Sequence, residues 1–148
     1  MLVQGDIVIN RSIDEVFDFV ADERNEPKYN PQMTRADMVT EGPIGMGTQF
    51  HSVMNGVGRG AVMTIELTEF DRPRRLGSAT HLSSMDINGT LLFEAQGQST
   101  KMKWLWNIEP RGFYKLLGPI VRRFGERQEL AIWTGLKKVL EARPQPSR

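Results

Sequence analysis

The sequence predicts an α+β fold in which a curled antiparallel sheet of about seven strands wraps round a long C-terminal helix, with two short helices after the first strand. The first observation is an alternation of apolar and polar residues, which recurs in segments separated by turn residues as far as Ile108. The second is a change of apolar period from about two to about 3.6 residues beyond that point, which is typical of a helix.

The N-terminal part contains the first strand and the two short helices. Residues 3–10 alternate as a strand, and Ser12 and Glu15 then form a capping box, in which each side chain can bond the other's backbone N–H. Apolar residues follow at the spacing of one helical face: Ile13, Val16, Phe17 and Val20. The prolines of the next segment, EPKYNP, interrupt regular structure and allow only a short helical turn near residues 28–29.

The middle of the chain is predicted to form the rest of the sheet. Six segments carry the strand pattern: residues 33–41, 48–55, 61–70, 76–82, 87–95 and 100–108. Glycine-containing turns join several of them, at residues 42–47, 56–60 and 97–98. Because short turns connect successive strands, we expect neighbouring strands to be antiparallel.

The C-terminal segment is predicted to form one long helix over residues 113–141, in which Gly118-Pro119 marks either the first position or a kink. One side of this helix is apolar: Leu117, Ile120, Val121, Phe124, Ala131, Ile132 and Val139. We expect residues 1–143 to form a single domain and residues 144–148 to form a disordered tail.

The composition excludes several classes of protein. The 19 basic and 18 acidic residues give a net charge of +1, without the basic excess that is typical of nucleic-acid-binding proteins. The absence of cysteine excludes disulfides and thiolate metal sites, and two histidines alone predict no metal site. There is no signal-peptide pattern, membrane-spanning stretch or cofactor motif, which predicts a cytoplasmic protein without a cofactor.

Large apolar side chains are predicted to line the concave face of the sheet. They alternate along four strands: Phe50 and Met54, then Met63, Ile65 and Leu67, then Leu91 and Phe93, and finally Met102, Trp104, Trp106 and Ile108. A helix laid on a curled sheet leaves a gap, and methionine and aromatic side chains suit a flat or oily ligand there. The alternative is an ordinary core packed against the helix, and a mixture of the two, with one strand end lining the mouth, fits the pattern best.

Four further residues are candidates for a binding or catalytic role. Tyr29 lies between two prolines, and Phe124 lies on the apolar helix face. Gln128, in the centre of that face, either orients a ligand or bonds to a strand residue or water. His81 is the candidate general acid or base, because its small neighbours leave room for a ligand.

The other side of the terminal helix carries charges of both signs, which predicts a face in contact with solvent: Arg122, Arg123, Glu126, Arg127, Glu129, Lys137, Lys138 and Glu141. Leu130 and Trp133 interrupt this side. Exposed large apolar residues mark contact surfaces, so this pair predicts a homodimer contact.

Five short motifs occur in an order that resembles a known superfamily. They are IxxSxxEVFxFVAD at residues 9–22, GxGT at 45–48, DRPRRL at 71–76, GxxT at 97–100 and LKxxLE at 136–141. The ordered set resembles the START-like helix-grip superfamily and, within it, the bacterial polyketide cyclase/dehydrase and lipid-transport proteins. The resemblance implies the same fold and cavity. It also implies that Tyr29 lies in the segment that often forms part of the pocket entrance, where it either gates the cavity or packs against it. It implies no catalytic residue, because the superfamily spans lipid carriers, plant hormone and allergen pockets and aromatase/cyclases without a shared catalytic motif.

Three functions are compatible with these patterns. The first is a carrier or sensor that binds a lipid, an isoprenoid or a polyketide-like molecule in the cavity. The second is an enzyme of the cyclase, aromatase or dehydratase type that uses the same cavity, with His81 moving protons. The third is a protein-interaction module whose outer face includes Trp133. The sequence leaves the choice open, and with it whether any reaction is catalysed.

Overall fold

The computed structural model describes residues 1–55 and 61–144, and within them the chain forms a seven-stranded sheet and two α-helices. The strands are β1 (Leu2–Ile9), β2 (Met33–Met38), β3 (Gln49–Met54), β4 (Ala61–Asp71), β5 (Arg75–His81), β6 (Met85–Gln96) and β7 (Ser99–Pro110). The helices are α1 (Ile13–Ala21) and α2 (Gly118–Ala142), and 3₁₀ helices span Glu23–Lys28 and Gly112–Leu117. The turn predicted at residues 56–60 and residues 145–148 of the predicted tail lie outside the described residues.

The sheet is antiparallel throughout, with the strand order β1-β7-β6-β5-β4-β3-β2. Since β1 and β2 are the two edges, α1 and the 3₁₀ helix Glu23–Lys28 must carry the chain from one edge to the other. These elements, together with α2 over the inner face, confirm the predicted α+β class and the helix-grip architecture.

Helix α1 begins where the capping box predicts. The Oγ of Ser12 accepts a hydrogen bond from the Glu15 N–H at 3.3 Å, and the apolar stripe of the helix is buried. The ring of Phe17 packs edge-on against Phe70 and Phe93, each at 5.2 Å between ring centroids. Helix α1 therefore fills this part of the concave face with a solid core.

Helix α2 contacts the rest of the fold differently along its length. In its C-terminal half Leu136 and Leu140 are fully buried, whereas Ile120 and Phe124 near its start are each about two-thirds exposed. The α-helix begins at Gly118, after a 3₁₀ helix rather than at the predicted residue 113, and Pro119 occupies the first turn, where its missing N–H is not needed. The N-terminal half of α2 thus leaves more of its side chains in contact with solvent than the C-terminal half does.

The prediction that Leu130 and Trp133 both face solvent is wrong for Trp133. Leu130 is exposed, but Trp133 is only 5% exposed. The physical reason is the orientation of α2: Trp133, Leu136 and Leu140 share a face at helical spacing, and the structure turns that face inward. Trp133 is therefore not accessible for the homodimer contact predicted from this pair, and only Leu130 is exposed.

Two glycines make room for the tryptophans of β7. Gly5 of β1 is paired with Trp104, and Gly89 of β6 is paired with Trp106. A Cβ atom on Gly5 would lie 2.4 Å from the Trp104 ring, and one on Gly89 would lie 2.6 Å from the Trp106 ring. Each indole therefore lies over a neighbouring strand at a position where a side chain would collide with it.

The edge strand β1 and the end of α2 are held together by polar side chains. The guanidinium of Arg11, which is almost fully buried, donates to the backbone carbonyls of Glu141 and Arg143 at the end of α2. Lys137 donates to the carbonyl of Val8 at 2.7 Å, and the Asn10 N–H donates to the Glu141 carboxylate at 2.9 Å. These contacts fix the C-terminal half of the helix over the sheet edge.

The opposite edge, β2, is irregular and charged. Its register against β3 shifts between Met33 and Arg35, as at a β-bulge. Arg35 and Asp37 form an exposed ion pair at 2.6 Å on this strand. Neither edge therefore presents a flat apolar ribbon.

Candidate functional site

A cavity of about 280 Å³ lies between the inner faces of β3 to β7, the N-terminal half of α2 and the segment that contains the 3₁₀ helix Glu23–Lys28. Short side chains leave this space open. Gly125 of α2, and Ser78 and Thr80 of β5, line the cavity at positions where longer side chains would fill it. Phe124 lines the cavity and is 66% exposed, so the cavity reaches the surface beside it.

The structure divides the predicted ligand-binding residues into two groups. Nine of them line the cavity: Tyr29, Met54, Met63, Ile65, Leu67, Trp106, Ile108, Phe124 and Gln128. The other four are buried outside it: Phe50, Phe93, Met102 and Trp104. Phe93 is separated from the cavity by Phe17 of α1, and Trp104 packs near Trp133 of α2.

His81 lies outside the cavity, and the prediction that its face of β5 looks inward is wrong. The side chain is 68% exposed, whereas its neighbours Thr80 and Leu82 line the cavity. His81 Nδ1 lies 2.7 Å from Asp86 Oδ1, and Arg111 donates to the other oxygen of Asp86 at 2.5 Å. The hydrogen bonds from His81 and Arg111 hold the pKa of Asp86 below its usual value. The same hydrogen bonds connect the β5–β6 turn to the end of β7.

One end of the cavity contains a half-buried carboxyl, Glu129 of α2. Its Oε2 accepts hydrogen bonds from Trp106 Nε1 at 2.9 Å and from Trp133 Nε1 at 2.8 Å. Burial raises the pKa of Glu129, and the two indole N–H groups act in the opposite direction. The helical charge pattern predicts a solvent-facing Glu129, and this prediction is wrong because the inward face of α2 includes Trp133.

A second carboxyl, Glu26, faces the same end from the 3₁₀ helix. Its Oε1 accepts a hydrogen bond at 2.9 Å from Asn30, which is itself fully buried. Burial raises the pKa of Glu26 to about 7, and the negative charge of Glu129 adds to this effect. The part of Glu26 that remains accessible faces the cavity rather than bulk water, because the residue belongs to the cavity wall.

Tyr29 completes the polar end of the cavity. It is 5% exposed, and its ring lies 6.0 Å from that of Trp133. Burial, and then the charges of Glu26 and Glu129, raise the pKa of its hydroxyl well above the usual value. Gly135 of α2 permits this close approach, since a Cβ atom there would lie 2.5 Å from the Tyr29 carbonyl oxygen.

The charged groups of the cavity wall all have one sign. Among the described residues that line it, Glu23, Glu26 and Glu129 carry carboxyl groups, and none is lysine, arginine or histidine. The described part of the chain holds no group of three or more side chains suited to bind a metal ion. The arrangement can accept hydrogen bonds, hold a positive charge, or exchange a proton near neutral pH.

Sequence reasoning missed Glu26, Asn30 and Glu129. One signal for Glu129 was present, because Trp133 follows it by four residues and therefore lies on the same side of the helix. The same spacing joins Glu26 to Asn30. Nothing in the sequence shows that these two pairs meet, since one belongs to α2 and the other to the segment before β2.

None of the helices in the described residues is both long and apolar enough to cross a lipid bilayer.

Comparisons with known proteins agree with the architecture. The model of the family described as polyketide cyclase / dehydrase and lipid transport matches residues 2–141, which confirms the resemblance found in the sequence. A START superfamily protein from Mycobacterium smegmatis superposes with a TM-score of 0.82 at 13% identity, over 95% of this chain and 97% of that one. A comparison with curated protein sequences finds no match.

Two aromatase/cyclases share the fold as well. The Zhui aromatase/cyclase from Streptomyces sp. R1128 superposes with a TM-score of 0.81 at 13% identity, over 95% of this chain and 93% of that one. The di-domain aromatase/cyclase BexL, from the BE-7585A biosynthetic pathway, gives 0.74 at 22% identity, over 95% of this chain and 46% of that one. At these identities the likeness establishes the fold alone.

Proposed function

Since this chain belongs to the polyketide cyclase/dehydrase and lipid-transport family, we propose that residues 1–143 form one domain that carries or senses a small, largely apolar ligand in the cavity. The helix-grip fold of the family is one that binds hydrophobic ligands. The observation that carries the proposal is the cavity itself, which is walled by apolar side chains from five strands and reaches the surface beside Phe124.

The size and walls of the cavity support a compact ligand. Its volume of about 280 Å³ lies near the lower end of the range for small-molecule sites. Burial of apolar ligand surface contributes roughly 25 cal/mol per Å² before the costs of association are subtracted. A short alkyl chain or a small ring system would be held mainly by Met63, Ile65 and Ile108, with its polar group directed toward Glu129.

A variant that fills the cavity is expected to block binding. Replacing Thr80 with phenylalanine should weaken the affinity for octan-1-ol by about tenfold or more, because the ring would occupy space that the ligand needs. Ala79→Phe is the matched control, since it adds a ring to the same strand on the outer face, next to Thr80 but outside the cavity wall. Octan-1-ol binding is measured by the change in tryptophan emission, with far-UV circular dichroism to show that both variants fold.

Equal affinity in wild type and Thr80→Phe would place the ligand elsewhere, and an emission unchanged by octan-1-ol in the wild type would contradict the proposed cavity function. A change confined to Thr80→Phe supports it.

The second candidate function, an enzyme of the cyclase, aromatase or dehydratase type, is favoured by one observation. A carboxyl with a pKa of about 7 faces the cavity beside a buried tyrosine, as a general acid or base requires. Such reactions begin when a proton leaves the carbon next to a ketone. In this cavity that proton would pass to the Glu26 carboxylate, and the ketone would become an enol or enolate.

The enzyme candidate predicts faster exchange of the α-protons of 2-octanone in D₂O, followed by proton NMR. Wild type should accelerate the exchange, and Glu26→Gln should reduce it by about 100-fold or more while 2-octanone still binds. A wild-type protein that binds 2-octanone without accelerating exchange would leave the carrier or sensor function as the better description. If the acceleration persists in Glu26→Gln, the exchange does not pass through this carboxyl.

A further inference from the structure

We propose that the cavity selects ligands whose polar group is a cation, such as the protonated amine of a short amphiphile, and that Glu26, Glu129 and Tyr29 hold that group. This inference rests on the proposed function of the cavity. It adds the chemical class of the ligand's polar end, which neither the family nor the fold supplies.

The first support is the sign of the charges. Three carboxyl groups belong to the described cavity wall, and no basic side chain there offsets them. The carboxylate of a fatty acid would meet groups of its own charge in a poorly solvated space, which disfavours binding. An ammonium group would supply the charge that the cavity wall lacks.

The second support is the set of polar atoms that the protein leaves without partners. Glu129 uses Oε2 for both indole N–H groups, and its Oε1 accepts no hydrogen bond from a described residue. Glu26 uses Oε1 for Asn30, and the described residues likewise donate nothing to its Oε2. Tyr29 lines the same cavity, and its hydroxyl makes no hydrogen bond to any described residue although the residue is only 5% exposed.

These three acceptors match an ammonium better than other polar groups. A protonated amine has three N–H donors, an alcohol has one O–H donor, and a carboxylate has none. One ammonium therefore has enough donors for two carboxylate oxygens and a phenol oxygen, with charge assistance at two of them. An alcohol has a single O–H to donate and brings no charge to the carboxylates.

The aromatic surroundings favour the same ligand. The Tyr29 and Trp133 rings lie 6.0 Å apart, and Trp104 continues the series at 6.3 Å from Trp133. The Trp106 and Trp133 indoles are both oriented by Glu129. Aromatic faces attract cations through the ring quadrupole, and aromatic rings combined with carboxylates form a recurrent environment for amines.

The test compares octylamine, octan-1-ol and octanoate, which share an eight-carbon chain and differ in their polar end. Dissociation constants are measured at a pH of about 8 by tryptophan emission and by titration calorimetry; the amine is protonated and the acid ionised there. We expect octylamine to bind about tenfold more tightly than octan-1-ol, and octanoate to bind most weakly.

Variants assign the preference to the carboxyl groups. Glu129→Gln and Glu26→Gln should each reduce the advantage of octylamine over octan-1-ol to about threefold or less. Glu126→Gln removes an exposed carboxyl of the same helix, paired with Arg122 outside the cavity, and should retain the full advantage.

The wild-type order decides the inference even where a variant fails to fold. If octan-1-ol or octanoate binds as tightly as octylamine, the proposed cation preference is wrong while the cavity function stands. If none of the three binds, the cavity function itself is wrong. An advantage of octylamine that survives in both folded cavity variants would place the cation away from these carboxyls.

Discussion

The free energy of unfolding is expected to fall by about 3 kcal/mol as the pH rises from about 4 to about 8, through Glu26 alone. In the folded protein the pKa of Glu26 is about 7, above its ordinary value of 4.5. Between these values the folded state keeps the proton that the unfolded state has lost. The folded state therefore binds more protons, and stability decreases as the pH rises through this window. The raised pKa of Glu129 acts in the same direction.

Urea unfolding of wild type and Glu26→Gln across this pH range isolates the contribution of Glu26. Carboxyls such as Asp86, whose pKa is lowered, lose their stabilising effect only as the solution becomes more acidic, and they act equally in both proteins. Glu94→Gln, on an exposed part of β6, should keep the wild-type pH dependence. A Glu26→Gln profile that parallels the wild type would show that Glu26 has an ordinary pKa in the fold.

The second large effect is expected at Gly89. A Cβ atom there would lie 1.9 Å from the backbone carbonyl oxygen of Leu105 and 2.6 Å from the Trp106 ring. Because Leu105 belongs to β7, which is paired on both sides, its carbonyl cannot withdraw without disturbing the hydrogen bonds of the sheet. We therefore expect Gly89→Ala to lower the free energy of unfolding by about 4 kcal/mol or more, or to prevent folding.

Gly45→Ala provides the matched control for this substitution. No atom lies within 4 Å of a Cβ atom at Gly45, and its backbone conformation is open to other residues. Its effect should stay within about 0.5 kcal/mol. Urea unfolding followed by circular dichroism measures both variants, and similar midpoints for the two would mean that β7 accommodates the added methyl group.

The fold was predictable because its signals are local. The capping box at Ser12 and Glu15, the alternation along the strands and the change to helical period each depend on residues close together in the chain. Antiparallel pairing then follows from the short turns. The inward row of β7 was visible for the same reason, since every second residue from Met102 to Ile108 is apolar and the structure buries all of them.

The direction of the His81 side chain could not be predicted because the residues on the two sides of its strand are alike. Gly77, Ser78, Ala79 and Thr80 are all small, so neither side of β5 is marked as apolar. The inward side is set instead by the register with β4, where Thr80 is paired with Ile65. A prediction of this kind needs strand pairing, which the alternation of one strand does not contain.

The acidic end of the cavity could not be predicted from the sequence for a different reason. A glutamate among arginines on a helix is typical of a solvent-facing position, and Glu129 differs only because two indoles bond to it. One of those indoles, Trp106, comes from a strand 23 positions earlier in the sequence. Likewise, Trp104 lies in the core, 6.3 Å from the ring of Trp133, whereas Trp106 lines the cavity. These are tertiary contacts, and local patterns do not encode them.

The polar contacts at the two sheet edges affect how the protein associates in concentrated solution. On β1, Lys137 and Glu141 occupy main-chain groups at Val8 and Asn10 that a strand from another molecule would need. On β2, the bulge and the Arg35–Asp37 pair interrupt the straight, uncharged template that intermolecular strand addition requires. An open sheet of seven strands is thereby protected from growing into aggregates, although it never closes into a barrel.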